Sequence, residues 1–367
     1  MKNRIVADEV DEVTLRKWMK LKDSQDHGDK TNGDFIKWLV RDVYLYDNQE
    51  EAIQRNTRNN LLRMWCGNFA ANLNVIREGK LISDMIPPEA VEDENIILGP
   101  AIIIGRGPSL YKYKHLQMLA KSKFKGTVVA SDGALIDCLK AGVIPNYVIS
   151  VDGNRDLICK WYDHPLVVKY GKRIKAVLCV SVAHNVYEQC VKAGMDVYWF
   201  NPQFDDYRRN DSFTKIQMLM TATEKHKNGT PNVACVGNAG ATSWVIATNL
   251  LRRSPVALIG IDLGYLEDTP IEETSYYKQM MEGTGGNINL VVQAFQLLDN
   301  PYFNNKVKVD PVFTQYRESW LGVLKQIRPN IRTVNCTGGG SLFSIDKSLP
   351  LEYSDFKDFL VEHSGKK

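Results

Sequence analysis

From about residue 95 onward, short runs rich in isoleucine and valine alternate with stretches long enough to be helices. The runs are IILGPAIIIG, GTVVAS, YVISVD, AVLCVS, VYWF, NVACVG, PVALIGID and IRTVN, and between them lie segments such as LYKYKHLQMLAKS, GALIDCLKAG, HNVYEQCVKAG, GATSWVIATNLLRR and VFTQYRESWLGVLKQI. Apolar runs too short for helices, separated by helical segments, specify βαβ units, in which right-handed crossovers build a parallel sheet covered on both faces. The fold expected is therefore α/β, a Rossmann-like, mostly parallel sheet with helices on both faces.

Before the alternation begins, residues 49–79 carry Leu61, Trp65, Phe69, Leu73 and Ile76 at helical spacing, one apolar stripe along a long helix. Gly79 suits its end, and Pro87-Pro88 breaks the chain before the next element. Residues 1 to about 50 are charged and weakly patterned and read as short helices joined by mobile links. The division expected is a helical N-terminal region over 1–90, the α/β core over 91–346 and a C-terminal tail over 347–367. The 367 residues carry a net charge of +3, which gives no electrostatic argument for nucleic acid. The first twenty residues are too charged for a secretory signal, and no apolar run is long enough for a membrane span, so a cytoplasmic protein is expected. Seven cysteines without a CxxC pair read as reduced thiols, most of them buried.

In a parallel sheet of this kind, ligands bind beyond the carboxyl ends of the strands. The residues following each run are accordingly the candidates. Gly105-Arg106-Gly107-Pro108-Ser109 follows the first strand, and Gly237 to Thr242 opens another helix. Glycine lets backbone N–H groups approach an anion, a helix start adds partial positive charge, and Pro108 fits a first helical turn. Gly105, Gly107, Pro108, Ser109, Gly237, Asn238, Gly240 and Thr242 are thus expected to hold a nucleotide, with Arg106 pointing away. Asp262 after ALIGI, Asn154 in the turn after VISV and Gly339 in the glycine run before Ser341 lie at the same edge and join that set. The nicotinamide fingerprint is broken, because Pro108-Ser109 replaces its continuation and no third glycine follows. Asp132 and Asp152 end two strands and are the candidate catalytic carboxylates, for a base or for orienting a sugar. Asp152 with Asp156 is the candidate Mg²⁺ pair, although Asp-Gly-Asn also makes an ordinary turn. His115 reads as structural. The stretch from Tyr265 to Asn289 is long enough for a lid or an acceptor-binding loop, or is a surface excursion.

GRGPSL, SDGAL, GVIPNYVISVDGN, GNAGATS and IGIDLGY, in this order over residues 95–265, resemble the DUF115 family. That family includes the archaeal 6-hydroxymethylpterin diphosphokinase MptE and the core of the Maf flagellin glycosyltransferases. The pterin enzymes usually carry T-D-L-D-G where this chain has Ile149-Ser150-Val151-Asp152-Gly153, so Ser150 replaces one acid. The stretches FAANLNVI, GNAG and VNCTGGGSLF are similar to the Maf group, with Gly338 in place of its usual glutamate. The resemblance implies a nucleotide-dependent transferase. One reading is a Maf-like glycosyltransferase using a nucleotide-activated sugar, plausibly a CMP-linked nonulosonic acid, with an unknown acceptor and no required cofactor. The alternative is an MptE-like pyrophosphokinase moving diphosphate from ATP, with Mg²⁺ on Asp152 and Asp156. A third is a non-catalytic nucleotide-binding scaffold that assembles through the N-terminal helix.

Overall fold

The structure is a computed structural model and describes residues 45–203, 205, 208 and 212–364, with side chains from Leu61 onward. The short helices expected before residue 45 lie outside the described residues. The chain divides into two compact units, 1–58 and 59–367. Of the first, only the backbone that starts the helix Leu45–Glu78 is described.

The second unit is built on a ten-stranded sheet. The strands of the chain, in order, are β1 (Lys80–Leu81), β2 (Ala101–Ile104), β3 (Thr127–Ser131), β4 (Tyr147–Ser150), β5 (Lys175–Cys179), β6 (Asp196–Pro202), β7 (Asn232–Val233), β8 (Val256–Ile259), β9 (Tyr265–Leu266), β10 (Gln296–Asn300), β11 (Asn305–Val309), β12 (Thr333–Asn335) and β13 (Leu351–Tyr353). The sheet runs β1-β6-β5-β4-β3-β2-β8-β12-β13, with β7 on β6, and every pairing in it is parallel. Each run expected to be a strand is one. Side chains alternate between two cores, as a period of two requires. Ile103 and Val129 enter the larger core, and Ile102, Ile104, Val128 and Ala130 enter the other. A sheet buried on both faces explains why these strands read as unbroken apolar runs.

The stripe Leu61, Trp65, Phe69, Leu73 and Ile76 is the inward side of the long helix, with Phe69 and Ile76 buried in the larger core. Residues 347–364, set apart by sequence as a tail, contribute the edge strand β13 and the helix Phe356–His363. That helix buries Phe356, Phe359 and Leu360 beside Leu116 and Leu119. His115 is buried against Phe356, with ring centres 5.3 Å apart, and desolvation lowers its pKa to about 4, so it is a neutral core residue. Between β8 and the helix Pro311–Leu324, the chain leaves the main sheet. β9, β10 and β11 form a separate antiparallel sheet in the order β10-β11-β9, and the helices Tyr277–Gly283 and Ile288–Ala294 precede β10. The Tyr265–Asn289 excursion is thus half of a small folded layer.

Four cysteines (Cys138, Cys179, Cys190 and Cys336) are buried, Cys159 and Cys235 are half-buried, and Cys66 is exposed. No described helix is long and apolar enough to cross a membrane.

Candidate functional site at the carboxyl edge of the sheet

From β2 the chain steps outward through β3, β4, β5 and β6, then crosses to β8 on the other side of β2. The strand order therefore reverses between β2 and β8, and the crevice rule points to the loops that follow these two strands. They are packed on each other closely. The N–H of Gly105 donates to Ile259 O at 2.9 Å, and that of Gly107 to Gly260 O at 2.7 Å. A Cβ on Gly105 would stand 2.4 Å from Gly260 O, and one on Gly107 would stand 2.0 Å from Asp262 Oδ2. Asp262 Oδ2 accepts from the Ser109 hydroxyl at 2.8 Å and from its N–H at 3.2 Å. The carboxylate thus sits at the start of the helix Ser109–Lys112, where the sequence reading places a phosphate. In this structure the amides of Gly105, Gly107 and Ser109 are committed to the β8 loop, and the two glycines are required by backbone approach. Burial raises the Asp262 pKa to about 6 in spite of the Ser109 bonds. Pro108 immediately precedes this helix, as its fixed φ suits. Arg106 is exposed: its Nε donates to Asp137 at 3.2 Å and its guanidinium lies 4.5 Å from the centre of the Trp161 ring.

Next along the edge, β3 and β4 bring two carboxylates together. Asp132 directly follows β3 and Asp152 lies two residues beyond β4. Desolvation, with a smaller contribution from the charge of Asp152, raises the Asp132 pKa to about 6, against bonds from the Gly133 N–H and Ser150. Burial also raises the pKa of Asp152, whose Oδ1 accepts the Asn154 N–H at 2.8 Å. Ser150, in the place of the first acid of the pterin signature, is fully buried, and its hydroxyl shares a 2.6 Å bond with the Tyr162 hydroxyl. A chain of hydroxyls thus leads from Asp132 into the core. Asn154 caps the helix Arg155–Ile158 by accepting the Asp156 N–H, and the Asp156 carboxylate is exposed on that helix. Among the described residues, no three His, Cys, Asp or Glu side chains gather as a metal site.

The long helix reaches this edge through residues that sequence reasoning overlooked. Asn68 donates to Gly153 O and Ser181 O at 2.8 and 3.0 Å, and buried Asn72 donates to Val180 O and Val182 O at 3.2 and 2.8 Å. Asn72 Oδ1 also pairs with His184 Nδ1 at 2.8 Å. Two asparagines four apart on the inward helix face were the available signal.

The third loop follows β7. Asn238 caps the helix Ala239–Val245 by accepting the Ala241 N–H at 2.9 Å. Thr242 is buried and donates to Cys235 O and Asn238 O, so its hydroxyl braces the loop from inside. Gly240 is buried against Ile261, while Gly237 is exposed at the tip. Val236 and Gly237 take φ values of 49° and 84° in succession. A β-branched residue in that region costs on the order of 1–3 kcal/mol, held here by the Thr242 and Asn238 bonds. The ring of Tyr316 lies against Gly237, 2.3 Å from where a Cβ would stand. Tyr316 bonds Tyr276, and its pKa is raised by burial, with the Asp310 and Asp152 charges adding to it. Tyr316 was unmarked in the sequence because it lies inside a regular helix. Gly339, by contrast, is buried, with its N–H and C=O both bonded to the Thr337 hydroxyl. Its loop ties β12 to the rest: Ser341 N–H donates to Asp262 O at 2.8 Å, and Gly338 O accepts from Tyr113 and Asn305.

Residues 68–268 match the family described as 6-hydroxymethylpterin diphosphokinase MptE-like, more than half of the chain. The chain belongs to that family. In fold it is similar to the structure of the Maf glycosyltransferase from Magnetospirillum magneticum AMB-1, with a TM-score of 0.48 and 12% identity, covering 71% of this chain. The chain spans about a third of that protein, 34% of its length. No curated protein sequence matches the chain.

Proposed function

We propose that the chain is a nucleotide-dependent transferase that moves a sugar from a nucleotide-activated donor, a CMP-linked nonulosonic acid, to a hydroxyl acceptor. The observation that carries this reading is the placement of Asp132 and Asp152 at the carboxyl edge of the adjacent strands β3 and β4, Asp132 with its pKa raised to about 6 chiefly by burial and Asp152 with its own raised as well. A carboxylate of raised pKa is a better base, and glycosyl transfer needs one to take the acceptor proton as the acceptor oxygen attacks. Asp152 suits that role because one of its oxygens is fixed by Asn154 and the residue is exposed to solvent. Asp132, backed by Ser150 and Tyr162, orients the sugar. With the amides of Gly105, Gly107 and Ser109 committed to the β8 loop, the phosphate is assigned to the exposed tip Gly237–Asn238 and to Arg106, and the first loop to the rigid wall behind them. Ser150 in place of a second acid supports a site that works without a cation.

A second reading, transfer of diphosphate from ATP to a pterin alcohol, has the family's description and one observation behind it. The Asp152 charge adds to the raised pKa of Asp132, and a bound divalent cation relieves that kind of repulsion. Mg²⁺ would then sit on this pair, with Asp156 left out on its helix. Thermal shift with CMP, CDP, UDP, GDP, AMP and ATP, each with and without Mg²⁺, separates the two. Stabilisation by CMP without metal supports sugar transfer, and at a hundred times the dissociation constant amounts to about 2.7 kcal/mol. Stabilisation by ATP or AMP only with Mg²⁺ refutes the first reading in favour of the second.

A further inference from the structure

The helix Phe213–Thr221 is inside out. Thr214, Gln217 and Thr221, at helical spacing, face inward and are at most 1% exposed, whereas Ile216, Leu219 and Met220 face outward and are 45%, 68% and 44% exposed. A helix on a globular core ordinarily buries the opposite set. What this one covers is a polar band just beyond β5, at the end of β6 and at the start of β7. Asn201 and Asn232 are register partners on β6 and β7. Asn201 Nδ2 donates to Thr214 O at 3.0 Å, Asn232 Nδ2 to Met218 Sδ at 3.0 Å, and Gln217 Nε2 to Ser181 Oγ at 3.2 Å. All three amide NH₂ groups are thereby used on or from one helix. All three amide oxygens, Asn201 Oδ1, Gln217 Oε1 and Asn232 Oδ1, are buried and have no donor.

Three buried acceptors without donors are unfavourable for folding, since each such group forfeits its hydration. Their surplus has one sign. Phosphate and carboxylate, which only accept, would not satisfy it, whereas hydroxyl and amide N–H groups would. The band also adjoins the candidate catalytic loop, because Asn68 bonds both Ser181 O and Gly153 O, the latter next to Asp152. We propose that the inner face of this helix, with Asn201 and Asn232, is the subsite for the hydroxyl-rich sugar of the nucleotide-activated donor. This rests on the reading of sugar transfer given above. The helix shifts outward as the sugar enters, pivoting on its first turn, where Phe213 packs on Phe69 and Asp205 accepts from Ser212, Phe213 and Thr214, because no apolar ridge of Ile216, Leu219 or Met220 anchors the rest of it to the core.

The test is calorimetric titration of the full chain with CMP and with CMP-linked N-acetylneuraminic acid. The wild type is expected to bind the sugar nucleotide about tenfold or more tightly than CMP, the worth of one or two net hydrogen bonds. Gln217→Met removes one orphan oxygen at nearly constant volume, and Asn232→Leu removes another at a half-buried site. Each is expected to bring the two affinities to within about threefold while leaving that for CMP unchanged, and to melt no lower than the wild type because an unpaired acceptor is gone. A sugar increment that survives in both variants overturns the subsite. So does a wild type that binds CMP with no increment, which leaves the nucleotide reading standing. A wild type that binds neither compound refutes the sugar-transfer reading itself, and the subsite falls with it.

Discussion

Asp262 is a charge that the fold holds at a cost, and that cost has a pH signature. Asp262 is 5% exposed, and among the described residues its carboxylate is hydrogen-bonded by Ser109, through two bonds to one oxygen. Burial raises its pKa from 3.8 to about 6. A raised folded-state pKa means that the folded chain binds the proton more tightly than the unfolded chain. The associated stability is then fully present below the unfolded pKa, near 4, and is lost as the pH rises through about 6. Two pKa units correspond to about 3 kcal/mol at most, of which about 2 kcal/mol is lost between pH 4 and pH 7. Asp262→Asn has no such dependence, and its amide oxygen can turn toward Ser109 to keep both bonds. Urea denaturation of wild type and variant from pH 4 to pH 7.5 isolates this site, because all other titrations cancel in the difference. The stability of the variant relative to the wild type is expected to climb by about 2 kcal/mol across that range and to level off above about pH 6.5. A difference that stays flat with pH would refute the assignment of a buried, raised carboxyl to Asp262.

Other perturbations test the same architecture. Gly107→Ala puts a Cβ 2.0 Å from Asp262 Oδ2 and 2.8 Å from Gly260 O, and is expected to lower stability by about 2–4 kcal/mol in chemical denaturation. Asn72→Ala strips donors from Val180 O and Val182 O and a partner from His184, and is expected to cost about 2–3 kcal/mol by the same measurement. Cys66 is the one fully exposed thiol among the described residues, and burial pushes the thiol pKa up at Cys138, Cys179, Cys190, Cys235 and Cys336. Under native conditions Cys66 is expected to react with a thiol reagent well ahead of those five.

The sheet was legible because a strand buried on both faces leaves an unambiguous mark: AIII, TVVAS and KAVLC have nowhere to go but the middle of a parallel sheet. The antiparallel layer was not, since QLLDN and NKVKV expose one face and lack that density, and only the alternation in NKVKV and the turn around Asn304 at φ 48° betray a hairpin. At the site, position was readable and role was not. Strand ends fixed where Asp132, Asp152 and Asp262 would stand. A glycine that admits an anion and a glycine that admits another loop leave the same letter, however, and at Gly105 and Gly107 the neighbour is Gly260 and Asp262. Asn68 and Asn72 act across more than eighty residues of sequence, and Tyr316 reaches back to Gly237, through contacts that no local pattern encodes.

The two functional readings diverge most sharply at the Asp132–Asp152 pair. Both carboxyls have pKa values raised mainly by burial, with Asp132 at about 6 and the charge of Asp152 a smaller contribution. If Asp152 is a base for an acceptor hydroxyl, turnover rises with pH as Asp152 ionises, and Mg²⁺ leaves the profile where it is. Asp152→Asn then abolishes turnover while CMP affinity is kept, and removing the neighbouring charge lets the Asp132 pKa fall. If the pair instead binds Mg²⁺, the cation displaces the proton that burial retains on Asp132, because a metal inverts the local preference for the neutral form. Adding MgCl₂ to the weakly buffered protein at pH 6 then releases protons, and the ascending limb of the pH profile moves down by about a unit or more. The sugar-transfer reading expects neither response. Proton release that is present in the wild type and lost in Asp152→Asn would transfer the chemistry from base catalysis to a cation held between β3 and β4.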